Sequence, residues 1–456
     1  MTDSRSVLDE IRPAAVAPAA SQTLQELAEA DGTKHLLAIF TTLTGKPCAK
    51  LVPVRAADML QFEGVGFAGF AAGALGQAPR DPDVMAIPDL STYTPLPFVR
   101  PGLALVHCDA QVDGAIHPFA PRNILRAMIN RAAGYGLQVR AGAETEYFLL
   151  RREADGTLVV ADDRDDAAQP CYDVRGVTRM FDHLSAVTDA MDAMGWEPYA
   201  SDHEDGNGQF EQNFTYSDVL TTADRVTTLR YVIHMLAEQR GMLATFMPKP
   251  FTNRTGTGLH LHLSLWRDGE PVCPDSSDRH GLGLSAEAYS FLAGILEHAP
   301  GLHALIAPTV NSYKRTGAST TSSGATWAPP RVASYGGNDR THFLRVPDGN
   351  RFELRGADGS ADPYLAAAAV IAAGLDGLER GLDPGAPGSS DGPALPRTLL
   401  DAVHAFENDT VLTGALDALD PSAGVAAYYA NLKREEFYTW HSQVTPWELE
   451  HYLTAV

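Results

Sequence analysis

The sequence predicts an α+β protein with two domains and an N-terminal tail. With 456 residues, 45% of them hydrophobic, the chain is long enough to form two hydrophobic cores. Strand-like segments come before Pro118, whereas long helical segments alternate with short polar strands after it. The first residues are rich in alanine and proline, as in AAVAPAASQ. We therefore expect a flexible tail over residues 1–21, a small domain over 22–114 and a larger domain over 115–456.

The predicted elements follow the chain in this order. KHLLAIFTTLTGKPCAKLVPV contains two strand-like runs separated by TGKP, whose glycine and proline are typical of a turn. GLALVHCDAQV is a further strand candidate. NILRAMINRAAGYG and VLTTADRVTTLRYVIHMLAEQRG have apolar residues three to four positions apart, which is typical of helices. RGLDPGAPGSSDGPALPRT predicts a loop, and we expect helices from there to the C-terminus.

Composition argues against several functional classes. A formal net charge of −22 disfavours a surface for nucleic acid or for an anionic membrane. The four cysteines are scattered without a CxxC pair, which argues against a zinc ribbon or a disulfide framework and fits the reducing cytoplasm. No apolar run reaches the roughly 20 residues that span a bilayer, and no signal peptide is evident. We expect a cytoplasmic protein without nucleic-acid or membrane partners.

Four short segments place charged or imidazole side chains on one face of a strand. Residues i and i+2 of a strand point to the same side, so RAGAETEYFLL presents two carboxylates and TGTGLHLHLSLW presents two imidazoles. GNRFELRGAD gives an Arg-Glu-Arg face, and SDHEDGNGQFEQNF has glutamates on both sides of a glycine-rich turn. The residues concerned are Glu144, Glu146, Glu204, Glu211, His260, His262, Arg351, Glu353 and Arg355.

This combination predicts a centre for divalent cations. A buried carboxylate is costly unless it is paired or bound to a cation, and Mg²⁺ and Mn²⁺ prefer oxygen ligands, with imidazole acceptable to Mn²⁺. Five glutamates and one histidine would hold two or three ions, as phosphoryl transfer requires, and arginines would clamp phosphate and carboxylate. Taken singly, each segment is more typical of a solvated edge, a histidine pair at the core margin or a salt-bridged sheet face. Their joint occurrence favours the metal centre.

Over about residues 25–456 the sequence resembles the glutamine synthetase family. The resemblance is carried by AETEYF, HEDGNGQFEQNF, FMPKPF, TGLHLHLSLW, NSYKR, NDRTHFLRVP, RFELRGADGSADPYLAAAAVIAAGLDGL and FYTWHSQVTPWELEHYL. It implies a small β-grasp-like N-terminal domain and a larger catalytic α/β domain with an antiparallel active-site sheet. It also implies a homo-oligomer with active sites between subunits, typically a dodecamer of two hexameric rings.

The same resemblance implies roles for individual residues. The metal that holds the glutamate side chain and the γ-phosphate region would be bound by Glu146, Glu204 and Glu211. The metal between the ATP phosphates would be bound by Glu144, His260 and Glu353. ATP contacts are implied for His262, Ser264 and Arg345, and contact with the transferring phosphoryl group for Arg340. Contacts with the substrate glutamate are implied for Arg315, Arg355 and Gly256.

The implied reaction joins an amine to L-glutamate at the expense of ATP, through γ-glutamyl phosphate. In relatives that use ammonia, an aspartate in a GFDGSS loop and a glutamate on a GYEAP flap hold ammonium and accept its proton. Here Ala68 and Trp327 stand at those positions, and Thr255 replaces an asparagine before Gly256.

Loss of two carboxylates and gain of apolar surface favour a short alkylamine such as methylamine. The loop and flap also resemble the subgroup of γ-glutamylmethylamide synthetases and type III-like glutamine synthetases, which includes users of both substrates. Ammonia therefore stays open as the substrate. A non-catalytic sensor or structural protein is the alternative of another class.

Overall fold

The computed structural model describes residues 22–316 and 330–455. The predicted tail over residues 1–21 lies outside the described residues. Two β-sheets organise the chain, one built from its first part and one from the remainder. The predicted domain boundary between residues 114 and 115 falls just before the last strand of the first sheet. The division itself stays a prediction.

The first sheet contains the predicted pair of strands joined by a tight turn. Its strands are β1 (His35–Thr41), β2 (Pro47–Pro53), β3 (Val65–Phe67), β4 (Val84–Pro88), β5 (Thr94–Pro95), β6 (Leu103–Val112) and β7 (Ala115–Ile116). They lie in the order β2-β1-β6-β4-β3, with β5 and β7 also paired to β6. The accompanying helices are α1 (Leu24–Ala30), α2 (Ala57–Glu63) and α3 (Gly69–Ala72), with 3₁₀ helices at Val54–Ala56 and Leu90–Thr92.

The second sheet is almost entirely antiparallel. Its strands are β8 (Gln138–Arg152), β9 (Leu158–Val160), β10 (Pro198–His203), β11 (Gln209–Phe214), β12 (Ser217–Asp218), β13 (Leu243–Thr245), β14 (Leu259–Arg267), β15 (Glu270–Pro271), β16 (Tyr335–Gly336), β17 (Leu344–Asp348) and β18 (Arg351–Leu354). The main order is β10-β11-β8-β14-β18-β17-β16, in which only β16 and β17 run parallel. The long strand β8 lies between β11 and β14, so both edges of the glutamate-bearing segment are paired.

Helices supply most of the remaining core. They are α4 (Pro121–Gly134), α5 (Val174–Arg179), α6 (Phe181–Ala193), α7 (Val219–Glu238), α8 (Ala286–Glu297), α9 (Ala299–Ile306), α10 (Ser312–Thr316), α11 (Pro363–Arg380), α12 (Leu399–Glu407), α13 (Thr410–Leu416), α14 (Val425–His441) and α15 (Pro446–Tyr452). None of the helices in the described ranges is both long and apolar enough to cross a membrane. The α+β prediction is confirmed.

Helix α11 is buried over most of its length, and its many small alanine side chains allow neighbouring elements to pack closely against it. It packs so closely on α8 that a Cβ atom at Gly294 would lie 2.0 Å from the carbonyl oxygen of Ala373. A Cβ atom at Gly377 would lie 2.1 Å from the carbonyl oxygen of Ser290. The two backbones are therefore in direct contact, which only glycine permits.

A buried ion network joins the two sheets. The Arg122 side chain on α4 is 4% exposed and pairs with Asp224 on α7 at 2.9 Å. Its other contacts are Asp109 on β6 at 2.5 Å and Asp89 after β4 at 2.9 Å. Hydrogen bonds and charge from the aspartates outweigh burial and raise the pKa of Arg122. The first sheet is thus tied to α4 and α7 beneath the second sheet.

His298, at the end of α8, forms a second buried ion cluster. Its Nδ1 atom lies 2.6 Å from Asp409 and its Nε2 atom 3.0 Å from Asp376. Burial alone would lower the pKa of His298, but hydrogen bonds to both aspartates outweigh burial and raise the pKa above its ordinary value of 6.5. This stabilisation is complete below that ordinary value and is lost as the pH rises through the raised pKa.

We therefore expect His298→Gln to lower the free energy of unfolding by about 1–3 kcal/mol at about pH 6, because hydrogen bonds to charged groups are lost. The difference from the parent should shrink toward about pH 9. Urea unfolding of both proteins across this pH range measures it. A difference that stays constant with pH would show that the charge of His298 contributes nothing.

Candidate active site

Strand register brings the predicted carboxylates and imidazoles together. Glu146 on β8 lies opposite Glu211 on β11, and Glu144 lies opposite His260 on β14. Three groups of side chains have ligand atoms within 4.8 Å of one another in the described part of the chain. The groups are Glu146 with Glu204 and Glu211, Glu144 with His262 and Glu353, and Glu144 with Glu211 and His260.

The first group, which we call the three-carboxylate cluster, consists of Glu146, Glu204 and Glu211. Burial raises the pKa of Glu146 to about 7, and burial together with the charge of Glu146 raises the pKa of Glu204 to about 8. Burial and the neighbouring carboxylates raise the pKa of Glu211 well above its usual range. Three carboxylates that resist ionisation because they are buried close to one another form a donor set that suits a divalent cation.

Glu144 is in the opposite electrostatic state. Its two carboxylate oxygens are bonded to His260 Nδ1 at 2.8 Å and to His262 Nε2 at 2.9 Å. Burial alone would raise the pKa of Glu144, but these hydrogen bonds outweigh it and hold the pKa well below the usual range. Burial lowers the pKa of His260, which favours the neutral imidazole that a metal requires.

Glu353 is fully buried between two arginines. It accepts a hydrogen bond from Arg345 Nη1 at 2.6 Å and another from Arg355 Nη1. Burial alone would raise the pKa of Glu353, but the charges of His260 and Arg355 outweigh it and lower the pKa. Asn338 accepts from Arg345 Nε at 3.0 Å and fixes that side chain at the edge of the site. The His260 Nδ1 atom lies 3.7 Å from Glu353 Oε1, so the three ligands implied for the second metal are adjacent.

Arg315 lies beneath the three-carboxylate cluster and is 4% exposed. Its guanidinium donates to the backbone carbonyl groups of Gly356 at 3.3 Å and Arg355 at 3.4 Å. A Cβ atom at Gly256 would lie 2.5 Å from Arg315 Cγ, so the glycine leaves room for the arginine. Gly256 and the backbone of Arg355 thus both contact Arg315. That these three residues bind the substrate glutamate stays a prediction.

Ser264 and Arg340 lie at the margin of the site. Ser264 follows His262 on the same face of β14 and accepts from Trp266 Nε1 at 2.9 Å. Arg340 is exposed. Burial and the charge of Glu204 raise the pKa of Tyr172, whereas the charge of Arg340 lowers it, so both charged side chains are near this tyrosine.

The two residues implied for the amine pocket, Ala68 and Trp327, are not located at the candidate site by the structure. Ala68 is exposed in the first sheet, between its edge strand β3 and helix α3. Trp327 lies outside the described residues. Whether either residue contacts the amine therefore stays a prediction.

The Gln209 side chain and the Gly258 backbone amide both bond to Glu146, a contact that the sequence did not predict. The Gln209 amide donates to Glu146 Oε2 at 2.8 Å and to the Gly256 carbonyl at 3.0 Å. The Gly258 amide donates to the same glutamate oxygen at 2.7 Å. Gln209 alternates with Glu211 in QFEQNF, which signals the shared face, whereas a backbone donor such as Gly258 leaves no signal in sequence.

Comparison with known proteins agrees with this geometry. Residues 118–452 match the family model described as glutamine synthetase, catalytic domain. The chain is 44% identical to a glutamine synthetase of Rhizobium leguminosarum bv. phaseoli, covering 91% of this chain and 95% of that protein. It is 39% identical to a glutamate–methylamine ligase of Methyloversatilis universalis, covering 94% of this chain and 98% of that protein.

A solved structure is similar over nearly the whole chain. GmaS, a glutamate–methylamine ligase, in an ADP complex superimposes with a TM-score of 0.87 at 44% identity. The match covers 94% of this chain and 99% of that one. The apo form of GmaS gives the same TM-score at 43% identity.

Proposed function

Because the chain belongs to the glutamine synthetase family and is a ligase of that family, we propose that it joins a short alkylamine, first of all methylamine, to the γ-carboxylate of L-glutamate. ATP would be consumed, and γ-glutamyl phosphate would be the activated acid. The observation that supports this proposal best is the set of carboxylates and imidazoles on β8, β11, β14 and β18, flanked by buried arginines. A non-catalytic protein would have no need to maintain repelling carboxylates.

The donor set fits Mg²⁺ or Mn²⁺. Glu146, Glu204 and Glu211 would hold one ion. Glu144, His260 and Glu353 would hold another, since His260 Nδ1 lies 2.8 Å from Glu144 and 3.7 Å from Glu353. His262 also has a ligand atom within 4.8 Å of those of Glu144 and Glu353. A third ion would share Glu144 and Glu211 with His260. Such ions would supply positive charge where phosphoryl transfer spreads negative charge.

The chain's own residues would do the remaining work. Arg315 and Arg355 would bind the substrate glutamate, and their burial would strengthen the ion pairs. Arg345, held by Asn338, would orient the ATP phosphates, with His262 and Ser264 along the nucleotide. Arg340, exposed at the margin, would reach the transferring phosphoryl group once substrates exclude water.

We expect the arginines to separate in kinetics. Arg315→Lys should raise the KM for glutamate about 10- to 100-fold with a smaller change in the KM for ATP, because lysine cannot make the bidentate contact and a charged hydrogen bond contributes about 1.5–3 kcal/mol. Arg345→Ala should instead raise the KM for ATP and lower kcat. Steady-state kinetics of both variants measure this, and an unchanged glutamate KM in Arg315→Lys would exclude Arg315 from the glutamate site.

The proposed amine follows from the carboxylates that the chain lacks. Ala68 adds no charge to its loop. Two lysines reach the same segment, since Lys50 on β2 donates to the Gly66 carbonyl and Lys46, just before β2, donates to the Ala72 carbonyl at 3.4 Å. Such a loop does not attract ammonium. Each buried CH₂ group contributes about 0.8 kcal/mol, so an apolar pocket favours methylamine. The similarity to glutamate–methylamine ligases supports this choice.

The direct test ranks ammonium, methylamine, ethylamine, ethanolamine, diamines and aniline by kcat/KM. In Ala68→Asp we expect the ratio of methylamine to ammonium kcat/KM to fall about tenfold, because the new carboxylate attracts ammonium. Ala71→Asp, at an exposed position on helix α3, which begins directly after Ala68, is the matched control. An unchanged ratio in Ala68→Asp would place Ala68 outside the amine site.

Ammonia is the second candidate substrate, because glutamine synthetases of Rhizobium are 44% and 42% identical to this chain. A parent enzyme that prefers ammonium tenfold or more would establish it.

We also propose a homo-oligomer, a dodecamer of two hexameric rings by resemblance. Exposed aromatic residues of α14 and α15, such as Trp440 and Trp447, support association. The four unpaired cysteines support a reducing compartment such as the cytoplasm.

A further inference from the structure

We propose that Asp165 and His203 form a positioning pair that fixes Glu204 in the three-carboxylate cluster. Within the described residues, neither side chain belongs to a group of candidate metal ligands. Their polar atoms bond to each other, to Asn207 and to the backbone. The inference rests on the proposed function in that the cluster is taken to bind a divalent cation.

Glu204 differs from its two neighbours in how it is held. Glu146 and Glu211 lie within paired strands, and hydrogen bonds from Gln209 and Asn213 restrain their carboxylates. Glu204 lies after the end of β10 and before the start of β11, outside any strand. Its carboxylate accepts from the Asp205 amide at 3.1 Å, within the same turn. The turn itself must therefore be held in place, because an ion site loses affinity when a ligand must be ordered on binding.

His203 supplies that restraint directly. Its side chain has no exposed surface, and its Nδ1 atom lies 2.8 Å from the Glu204 carbonyl oxygen. Its Nε2 atom lies 2.8 Å from Asp165 Oδ2. His203 therefore links the backbone of Glu204 to the carboxylate of Asp165 through its two ring nitrogens.

Asp165 also holds the other end of the turn. Its Oδ1 atom accepts from Asn207 Nδ2 at 3.1 Å, and its Oδ2 atom accepts from the Gly208 amide at 2.5 Å. Its side chain is 2% exposed. The Asp165 carboxylate therefore holds both ends of the turn, Gly208 directly and Glu204 through His203.

The His203 imidazole is closely packed between its neighbours. A Cβ atom at Gly176 would lie 2.4 Å from His203 Cδ2, and the Phe210 ring centroid lies 4.9 Å from that of His203. The ring is clamped between α5 and β11. Loss of Asp165 would remove the acceptor that fixes the ring and free both ends of the turn.

The test is direct Mn²⁺ binding to the full-length protein, measured from the paramagnetic resonance of free Mn²⁺. We expect Asp165→Asn and His203→Gln to weaken Mn²⁺ binding about 10- to 100-fold, as loss of an outer partner of a ligand does. The Mn²⁺ concentration for half-maximal turnover should rise equally, and kcat at saturating Mn²⁺ should stay within about twofold of the parent, because the ligands remain.

His298→Gln is the matched control, since His298 is also buried between carboxylate acceptors but lies at the end of α8. It should lose stability without change in Mn²⁺ affinity. If Asp165→Asn and His203→Gln fail to fold, Asn207→Ala serves instead. It removes one hydrogen bond to Asp165 and one to the Ala167 carbonyl, and should weaken Mn²⁺ binding by a smaller factor.

Glu204→Gln separates the two ways of failing. If it weakens Mn²⁺ binding while every folded variant of the pair binds as the parent does, the positioning role is wrong and the proposed function stands. If Glu204→Gln itself leaves Mn²⁺ binding unchanged, the three-carboxylate cluster is not an ion site and both are wrong.

Discussion

Glu146→Ala will lower ATP-dependent amide synthesis about a thousandfold while the protein stays folded. The change removes one of three carboxylates that would hold an ion, and ion stabilisation of a phosphoryl-transfer transition state contributes several kcal/mol, of which about 4 kcal/mol corresponds to this factor. The fold should persist because Glu211 and Glu204, whose pKa values are raised by burial and by the neighbouring carboxylates, are relieved of one negative neighbour. Product formation at saturating metal and circular dichroism measure the two effects.

Two further variants define that result. Glu353→Ala should behave similarly, because its removal also leaves the buried Arg345 and Arg355 without their shared carboxylate. Glu153→Ala, which removes an exposed glutamate just beyond β8, should change little. Turnover near that of the parent in Glu146→Ala and Glu353→Ala would contradict the assignment of metal ligands.

Arg122→Met will lower the free energy of unfolding by about 3–5 kcal/mol. It leaves the buried carboxylate of Asp224 without its arginine, whereas Asp109 and Asp89 keep Arg126. Removing one partner of a buried ion pair is far more costly than the pair was worth. Methionine has similar length, so lost packing is small. Urea unfolding and the Tm of the assembled protein measure the change.

The neighbouring Arg126 provides the control. It contacts the same Asp89 and Asp109, at 2.5 and 3.2 Å, but its side chain is 38% exposed. Arg126→Met should therefore change the free energy of unfolding by less than about 1 kcal/mol. Equal effects in the two variants would show that burial of Arg122 does not determine the stability of the network.

Local patterns predicted the elements well, because their causes are local. The turn between β1 and β2 lies at the predicted glycine and proline, and the predicted helix over 219–241 is observed as α7. That helix ends at Glu238 because the chain turns at Gly241, whose φ is 69°. Helix α4 begins at Pro121, before its predicted start, because proline suits the first helical turn.

In the site as well, the features with local causes could be predicted, whereas those that depend on tertiary structure could not. Alternation alone predicted that Glu144 and Glu146 share a face, as do His260 and His262. That β8 lies between β11 and β14 depends on long-range pairing, which no local pattern encodes. The clamp of Arg345 by Asn338 and the closure of the Glu204 turn by Asp165 are likewise products of tertiary structure.

The contact between α8 and α11 limits how this sequence can diverge. At Gly294 and Gly377 even one methyl group would collide with backbone of the facing helix, which has no rotamer to change. Random variation at these two codons should thus return only glycine among folded clones, whereas alanines elsewhere in α11 should accept occasional exchange. The contact between α8 and α11 is therefore expected to restrict evolutionary change at these two positions to glycine.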